Sequence, residues 1–159
     1  MMGKKDEKTN VCRLLEQKKI AYNLITYDPT ETNGVNVARL CGQDEAKVFK
    51  TLVTVGKSRE HYVFVIPVAR ELDLKKAAKA VGEKSIEMIP QKELLPLTGY
   101  IHGGCSPIGM KKFFKTTIDK TAEDYDSIYF SGGKVGFQVN VDPKDLNRII
   151  RFDYADLTV

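Results

Sequence analysis

No stretch constrains the fold of this chain more than Val48-Phe49-Lys50-Thr51-Leu52-Val53-Thr54-Val55. β-Branched and aromatic residues crowd it and Gly56 closes it, which is how a strand reads. Leu52 and Val53 are neighbours, so both faces of the strand carry apolar side chains and both need a cover. Lys50 stands at its entrance, on the face shared with Leu52 and Thr54. A lysine in that place has two fates. Its ammonium snorkels to water, or it stays as a partly desolvated donor with a lowered pKa. The second fate needs other residues to converge on Lys50.

The flanking segments supply the rest of an α+β pattern. Asn10 can cap a helix carrying Val11, Leu14 and Leu15, ending near Lys18-Lys19. Tyr22 to Tyr27 alternates as a strand that Asp28-Pro29 stops. Thr30 to Gly34 is a polar loop, and Val35, Val37, Ala38 and Leu40 suggest a short helix ended by Gly42. Gly56 to Glu60 turns a hairpin into Tyr62–Val68. Asp73 caps a helix whose stripe is Leu74, Ala77, Ala78 and Val81, with Gly82 as its stop.

Further strands are expected at Ser85–Ile89, Thr116–Asp119, Ser127–Ser131 and Val135–Val141. Brief helices are expected from Pro90 and from Asp142-Pro143 through Ile149. Without regular βαβ alternation, these elements predict a compact α+β domain around a mixed sheet.

The 159 residues fit one domain, 1–159, with about residues 1–8 frayed. No apolar run approaches the roughly 20 residues of a bilayer span, and no leader opens the chain, so a cytoplasmic location is expected. Cys12, Cys41 and Cys105 are too scattered for a metal knuckle or redox pair, and read as reduced thiols. A net charge of +4 permits a polyanionic partner without demanding one.

The common catalytic sets are missing. The glycine-rich stretch Thr98–Gly109 lacks a Gly-Lys-Ser/Thr ending, so there is no P-loop. Two histidines and three distant cysteines give no zinc spacing. Cys105 and His102 could form a nucleophile pair, but neighbours along an extended chain point apart, and the residues favour a small buried thiol in a turn. What remains is a lysine, two glycine-rich turns and scattered cations. Such parts hold an anion or polarise a carbonyl and are poor at proton abstraction.

Val48-Phe49-Lys50-Thr51-Leu52, Leu72-Asp73-Leu74-Lys75-Lys76-Ala77, Thr98-Gly99-Tyr100 through Gly103-Gly104-Cys105-Ser106-Pro107-Ile108-Gly109, and Ser131-Gly132-Gly133-Lys134 resemble, in this order, the YbaK/EbsC family. These are free-standing relatives of the editing domain of prolyl-tRNA synthetase, and the likeness is strongest to cysteinyl-tRNA(Pro) deacylases. The resemblance implies a mixed, barrel-like sheet flanked by helices and removal of cysteine from tRNA(Pro), and from tRNA(Cys), with no cofactor, metal, DNA or membrane.

It implies Lys50 as the essential catalytic lysine and Gly103, Gly104, Cys105, Ser106 and Pro107 as the loop whose backbone donors polarise the ester carbonyl. Ser131, Tyr27 and Thr51 would lie against the aminoacyl-adenosine. Two positions depart from the pattern: Gln138, where many relatives place an aspartate, and Gly34, where relatives can carry an aromatic.

The resemblance also accounts for the missing nucleophile, because a cysteinyl ester carries its own thiol and can close on itself. Charged tRNA(Pro) is then the partner, with prolyl-tRNA synthetase as a companion in a weak ternary complex. Alternatives are a deacylase for another misacylated tRNA, such as Ala-tRNA(Pro), and a module that binds tRNA through Lys111, Lys112, Lys115 and the Lys75/Lys76/Lys79 face without turnover.

Overall fold

The computed structural model describes residues 8–159. The expectation of a frayed start over about residues 1–8 falls outside them except at Lys8, whose ammonium meets the Glu16 carboxylate at 3.1 Å. The strands are β1 (Tyr22–Thr26), β2 (Phe49–Gly56), β3 (His61–Pro67), β4 (Ile86–Met88), β5 (Lys115–Asp119), β6 (Ile128–Ser131), β7 (Phe137–Val141) and β8 (Phe152–Ala155). The helices are α1 (Asn10–Gln17), α2 (Gly34–Leu40), α3 (Leu74–Val81), α4 (Leu94–Thr98) and α5 (Pro143–Leu146).

The expected α+β fold with a mixed sheet is present, but the strands divide into two sheets and do not close into a barrel. One sheet is antiparallel in the order β1-β7-β6, and the other runs β4-β2-β3-β5-β8. The second is mixed: β2 pairs antiparallel with β3 and β4, whereas β5 is parallel to β3 and β8. A parallel bridge from Val48 to Tyr129 joins the sheets just before β2.

Val53, Val63 and Ile118 of the larger sheet share a core with Ile128, Phe130 and Val139 of the smaller one. On the opposite face, Phe64 and Ile66 pack on Ala77 and Ala78 of α3. Both faces of β2–β3 are thus covered, as the Leu52-Val53 neighbours require.

Local details differ from the sequence reading for identifiable reasons. Thr9, not Asn10, caps α1, its Oγ1 accepting the Cys12 N–H at 3.3 Å. Asp73 caps α3 as expected, but Leu74 is 42% exposed, so the buried stripe narrows to Ala77 and Ala78. Strand β7 begins at Phe137 instead of Val135, because Gly136 has φ 91° and breaks the extended run. Pro90 precedes its helical turn without entering it. Helix α5 stops at Leu146, where the N–H groups of Ile149 and Ile150 both turn back to the Leu146 carbonyl. Strand β8 has no counterpart in the sequence reading.

Candidate active site

The hydrogen-bond phase of β2 opens a gap beside Lys50. In an antiparallel pair, alternate residues bond to one neighbour and the residues between them turn the other way. Val48 accepts from Val68 N–H at 2.8 Å and Gly56 donates to Glu60 at 2.9 Å, so Lys50, Leu52 and Thr54 bond to β3. Thr51, Val53 and Val55 face outward. Val53 accepts from Ile89 N–H at 3.3 Å and Val55 lies opposite Glu87, but β4 ends before reaching Thr51. The Thr51 amide and carbonyl therefore look out on an unpaired edge between the Val48–Tyr129 bridge and β4.

At that edge is a cavity of about 300 Å³. Phe49, Lys50, Thr51 and Leu52 form one wall, α2 contributes Gly34 and Val37, and the smaller sheet contributes Phe130, Ser131 and Gln138. Tyr27, Gly103 and Cys105 complete the predicted residues found there. Gly104, Ser106 and Pro107 do not line the cavity. Gly104 sits against the turn after β6, where a Cβ would come within 3.0 Å of Val135 N. Ser106 is fully buried, with Oγ accepting the Ile108 N–H at 3.3 Å. These residues hold the loop in shape beneath Gly103, whose φ of 87° favours glycine.

The electrostatics single out Lys50. Burial lowers its pKa, opposed by the more weakly acting Glu71 carboxylate. The Thr51 hydroxyl is buried and has no hydrogen-bond partner, a costly state unless a ligand supplies one. Of the loop amides, Gly104 N–H donates to Ile101 O at 2.9 Å, while those of Gly103, Cys105 and Ser106 meet no acceptor among the described residues. Burial pushes the Cys105 thiol up to about 12 and also raises the Tyr27 phenol. Ser131 Oγ accepts the Gly133 N–H at 3.1 Å, so it shapes its turn as well as lining the cavity.

The departures from the family pattern have structural consequences. A Cβ at Gly34 would come within 2.5 Å of Val68 Cγ1, so α2 packs too closely here for a side chain pointing that way. Gln138 is 3% exposed and its amide pairs reciprocally with Gln43. Sequence reasoning did not foresee the apolar wall of Val48, Phe49, Val68 and Leu94; Thr32 and Asn33, which precede Gly34, and His102, raised above as a partner for Cys105, also line the cavity. Asn33 carried a signal of its own, since its side chain caps α2 and so fixes that wall. Among the described residues no group of three His, Cys, Asp or Glu side chains could hold a metal, and no helix is long and apolar enough to cross a membrane.

A model of the family described as the aminoacyl-tRNA editing domain matches residues 29–149. The chain belongs to that family. This editing domain is 43% identical over 157 residues to EbsC of Enterococcus faecalis, provisionally named a Cys-tRNA(Pro)/Cys-tRNA(Cys) deacylase, across 98% of this chain and 96% of that protein. It is 27% identical over 154 residues to the prolyl-tRNA editing protein ProX of Acetoanaerobium sticklandii, covering 96% of this chain and 88% of ProX. A crystal structure of a candidate trans-editing enzyme for prolyl-tRNA synthetase has the same fold, with TM-score 0.83, 23% identity and coverage of 96% and 99% of the two chains. The resemblance read from the four motifs is borne out, and every cavity residue predicted from it except Tyr27 lies inside the matched segment.

Proposed function

We propose that this editing domain is a trans-acting deacylase that removes cysteine from Cys-tRNA(Pro), and from Cys-tRNA(Cys), by attack of the substrate's own thiol. One observation carries the reading: the cavity gathers donors around a half-buried lysine but contains no activated nucleophile among the described residues. The Cys105 thiol, held near 12, is protonated at neutral pH and is a poor attacking group. The name of EbsC supports the choice of amino acid.

In the proposed reaction the cysteinyl sulfur attacks the ester carbonyl carbon. The new C–S bond replaces the C–O bond to the terminal ribose, and the departing oxygen takes the proton that the thiol gave up. The products are cysteine thiolactone and tRNA with a free hydroxyl, and no water is consumed. Holding sulfur and carbonyl in near-attack geometry is worth roughly 7–11 kcal/mol, so the protein need supply only placement and charge.

The unpartnered amides of Gly103 and Cys105, the loop residues that line the cavity, polarise the carbonyl oxygen. The half-buried Lys50 ammonium holds the terminal adenosine and supports the leaving oxygen. Thr51 lends its amide, carbonyl and orphan hydroxyl to the aminoacyl-ribose. Tyr27, Ser131 and Gln138 shape the cavity, whose 300 Å³ is at the small end for ligand sites and suits an amino acid with part of a nucleoside.

The whole chain then works as one editing unit in the cytoplasm, with charged tRNA as its partner beside prolyl-tRNA synthetase. A panel of cysteinyl-, alanyl-, seryl- and prolyl-tRNA(Pro), with cysteinyl-tRNA(Cys), tests the reading. Fast release is expected for the cysteinyl esters alone. Equal release of alanine would put a water-dependent deacylase in its place, and salt-sensitive tRNA binding without turnover would make the protein a binding module.

A further inference from the structure

The Gln138 amide reaches Gln43, a residue that does not itself line the cavity. Gln43 Nε2 donates to Gln138 Oε1 at 2.6 Å, and Gln138 Nε2 donates back to Gln43 Oε1 at 3.2 Å. The residues are 95 apart in sequence and belong to different parts of the fold. Gln43 follows α2, its backbone N–H bonded to Ala38 O at 2.8 Å, while Gln138 is in β7. Two amides that each donate and accept fix each other's plane, and each retains one N–H and one lone pair.

We infer that Gln43 is a positioning residue for the editing reaction: it orients the Gln138 amide and ties the α2 wall of the cavity to the sheet. Helix α2 contributes Gly34 and Val37 to the wall, and the helix is only seven residues long. The Gln43–Gln138 pair is a side-chain link between the residues just after its C-terminal end and β7. An oriented neutral amide offers the aminoacyl group one donor and one acceptor without a fixed charge. The inference rests on the proposed function, since it takes this cavity to be the aminoacyl site.

The test compares Gln43→Leu and Gln43→Glu with the native protein on Cys-tRNA(Pro). For Gln43→Leu, kcat is expected to fall on the order of tenfold, the scale of one or two lost hydrogen bonds, while KM, dominated by the rest of the tRNA, stays within about twofold. Gln43→Glu discriminates further. An ionised carboxylate accepts from Gln138 Nε2 but cannot donate to Oε1, whereas a protonated carboxyl does both. The ratio of Gln43→Glu to native activity is therefore expected to rise as pH falls from 8 towards 5. Cys41, Asp44, Lys50, Glu71, Tyr27, His102 and Cys105, the titratable groups beside Gln43 or around the cavity, are common to both proteins, so their own titration divides out of the ratio.

A flat pH ratio, or kcat unchanged in Gln43→Leu, overturns the inference while leaving the deacylase reading intact. A lower melting temperature with native kcat per folded molecule assigns Gln43 a purely structural role and also overturns it. Native protein with no activity on Cys-tRNA(Pro) overturns both.

Discussion

The two ends of the β2–β3 hairpin treat polar groups in opposite ways. At the turn, the Glu83 carboxylate takes the Tyr62 hydroxyl at 2.6 Å and the Ser58 N–H at 3.2 Å, and also accepts from Ser58 Oγ. Thr54 Oγ1 donates to Tyr62 O at 2.9 Å. At the other end, Lys50 is half-buried with no ion pair among the described residues, and the Thr51 hydroxyl has no partner. One end uses polarity to hold the chain together. The other leaves polarity unsatisfied, which costs stability and is retained where a ligand can satisfy it.

The largest expected effect on this contrast comes from Lys50→Met. Deacylation of Cys-tRNA(Pro) should fall by about 10²–10³-fold, the scale for losing one preorganised electrostatic group. The melting temperature should hold or rise. A lysine with a lowered pKa destabilises the folded state as pH falls through that value, so removing its charge relieves a penalty. A matched loss of activity and folding would make Lys50 a structural residue.

Next is Gly34→Ala, whose methyl would meet Val68 at 2.5 Å. Denaturant unfolding should show a loss of about 1–3 kcal/mol from overpacking, with weaker substrate binding as the α2 wall shifts.

A threonine pair sharpens the comparison within one strand. Thr51→Val removes a buried hydroxyl without a partner, so stability should hold or rise by up to about 1 kcal/mol while activity falls. Thr54→Val removes a hydroxyl that is bonded, so stability should fall by about 1 kcal/mol while kcat is unchanged. Unfolding and single-turnover measurements on the same preparations would show whether the two substitutions move in opposite directions.

The smallest effect is expected at the clasp. Hydrogen bonds from Ser58 and then Tyr62 lower the Glu83 pKa, so its contribution is complete above the ordinary glutamate value and is lost as pH falls through the lowered one. Melting of Glu83→Gln beside the native protein should show a gap at neutral pH that closes in acid, with deacylation unaffected at pH 7.

Much of the fold was legible because its signals are local. Val48–Val55 announces a two-faced strand, and Asp73 with Gly82 brackets α3. Errors fell where neighbouring residues share a chemistry, as with Thr9 and Asn10 at one cap, or where a single glycine conformation decides, as at Gly136. The site was less legible. Tyr27, Lys50, Gly103, Ser131 and Gln138 meet only because two sheets join at Val48–Tyr129, and no local pattern encodes that meeting. The family resemblance supplied those residues but not the Gln43–Gln138 pair, which becomes visible only once α2 lies against β7.

The measurement that bears most directly on the account is a single turnover on Cys-tRNA(Pro), quenched early, with the released small molecule weighed by mass spectrometry and the rate set beside that of Ala-tRNA(Pro). The account predicts a product lighter than cysteine by one water and little release of alanine. Free cysteine as the first product, with alanine released as quickly, would contradict it.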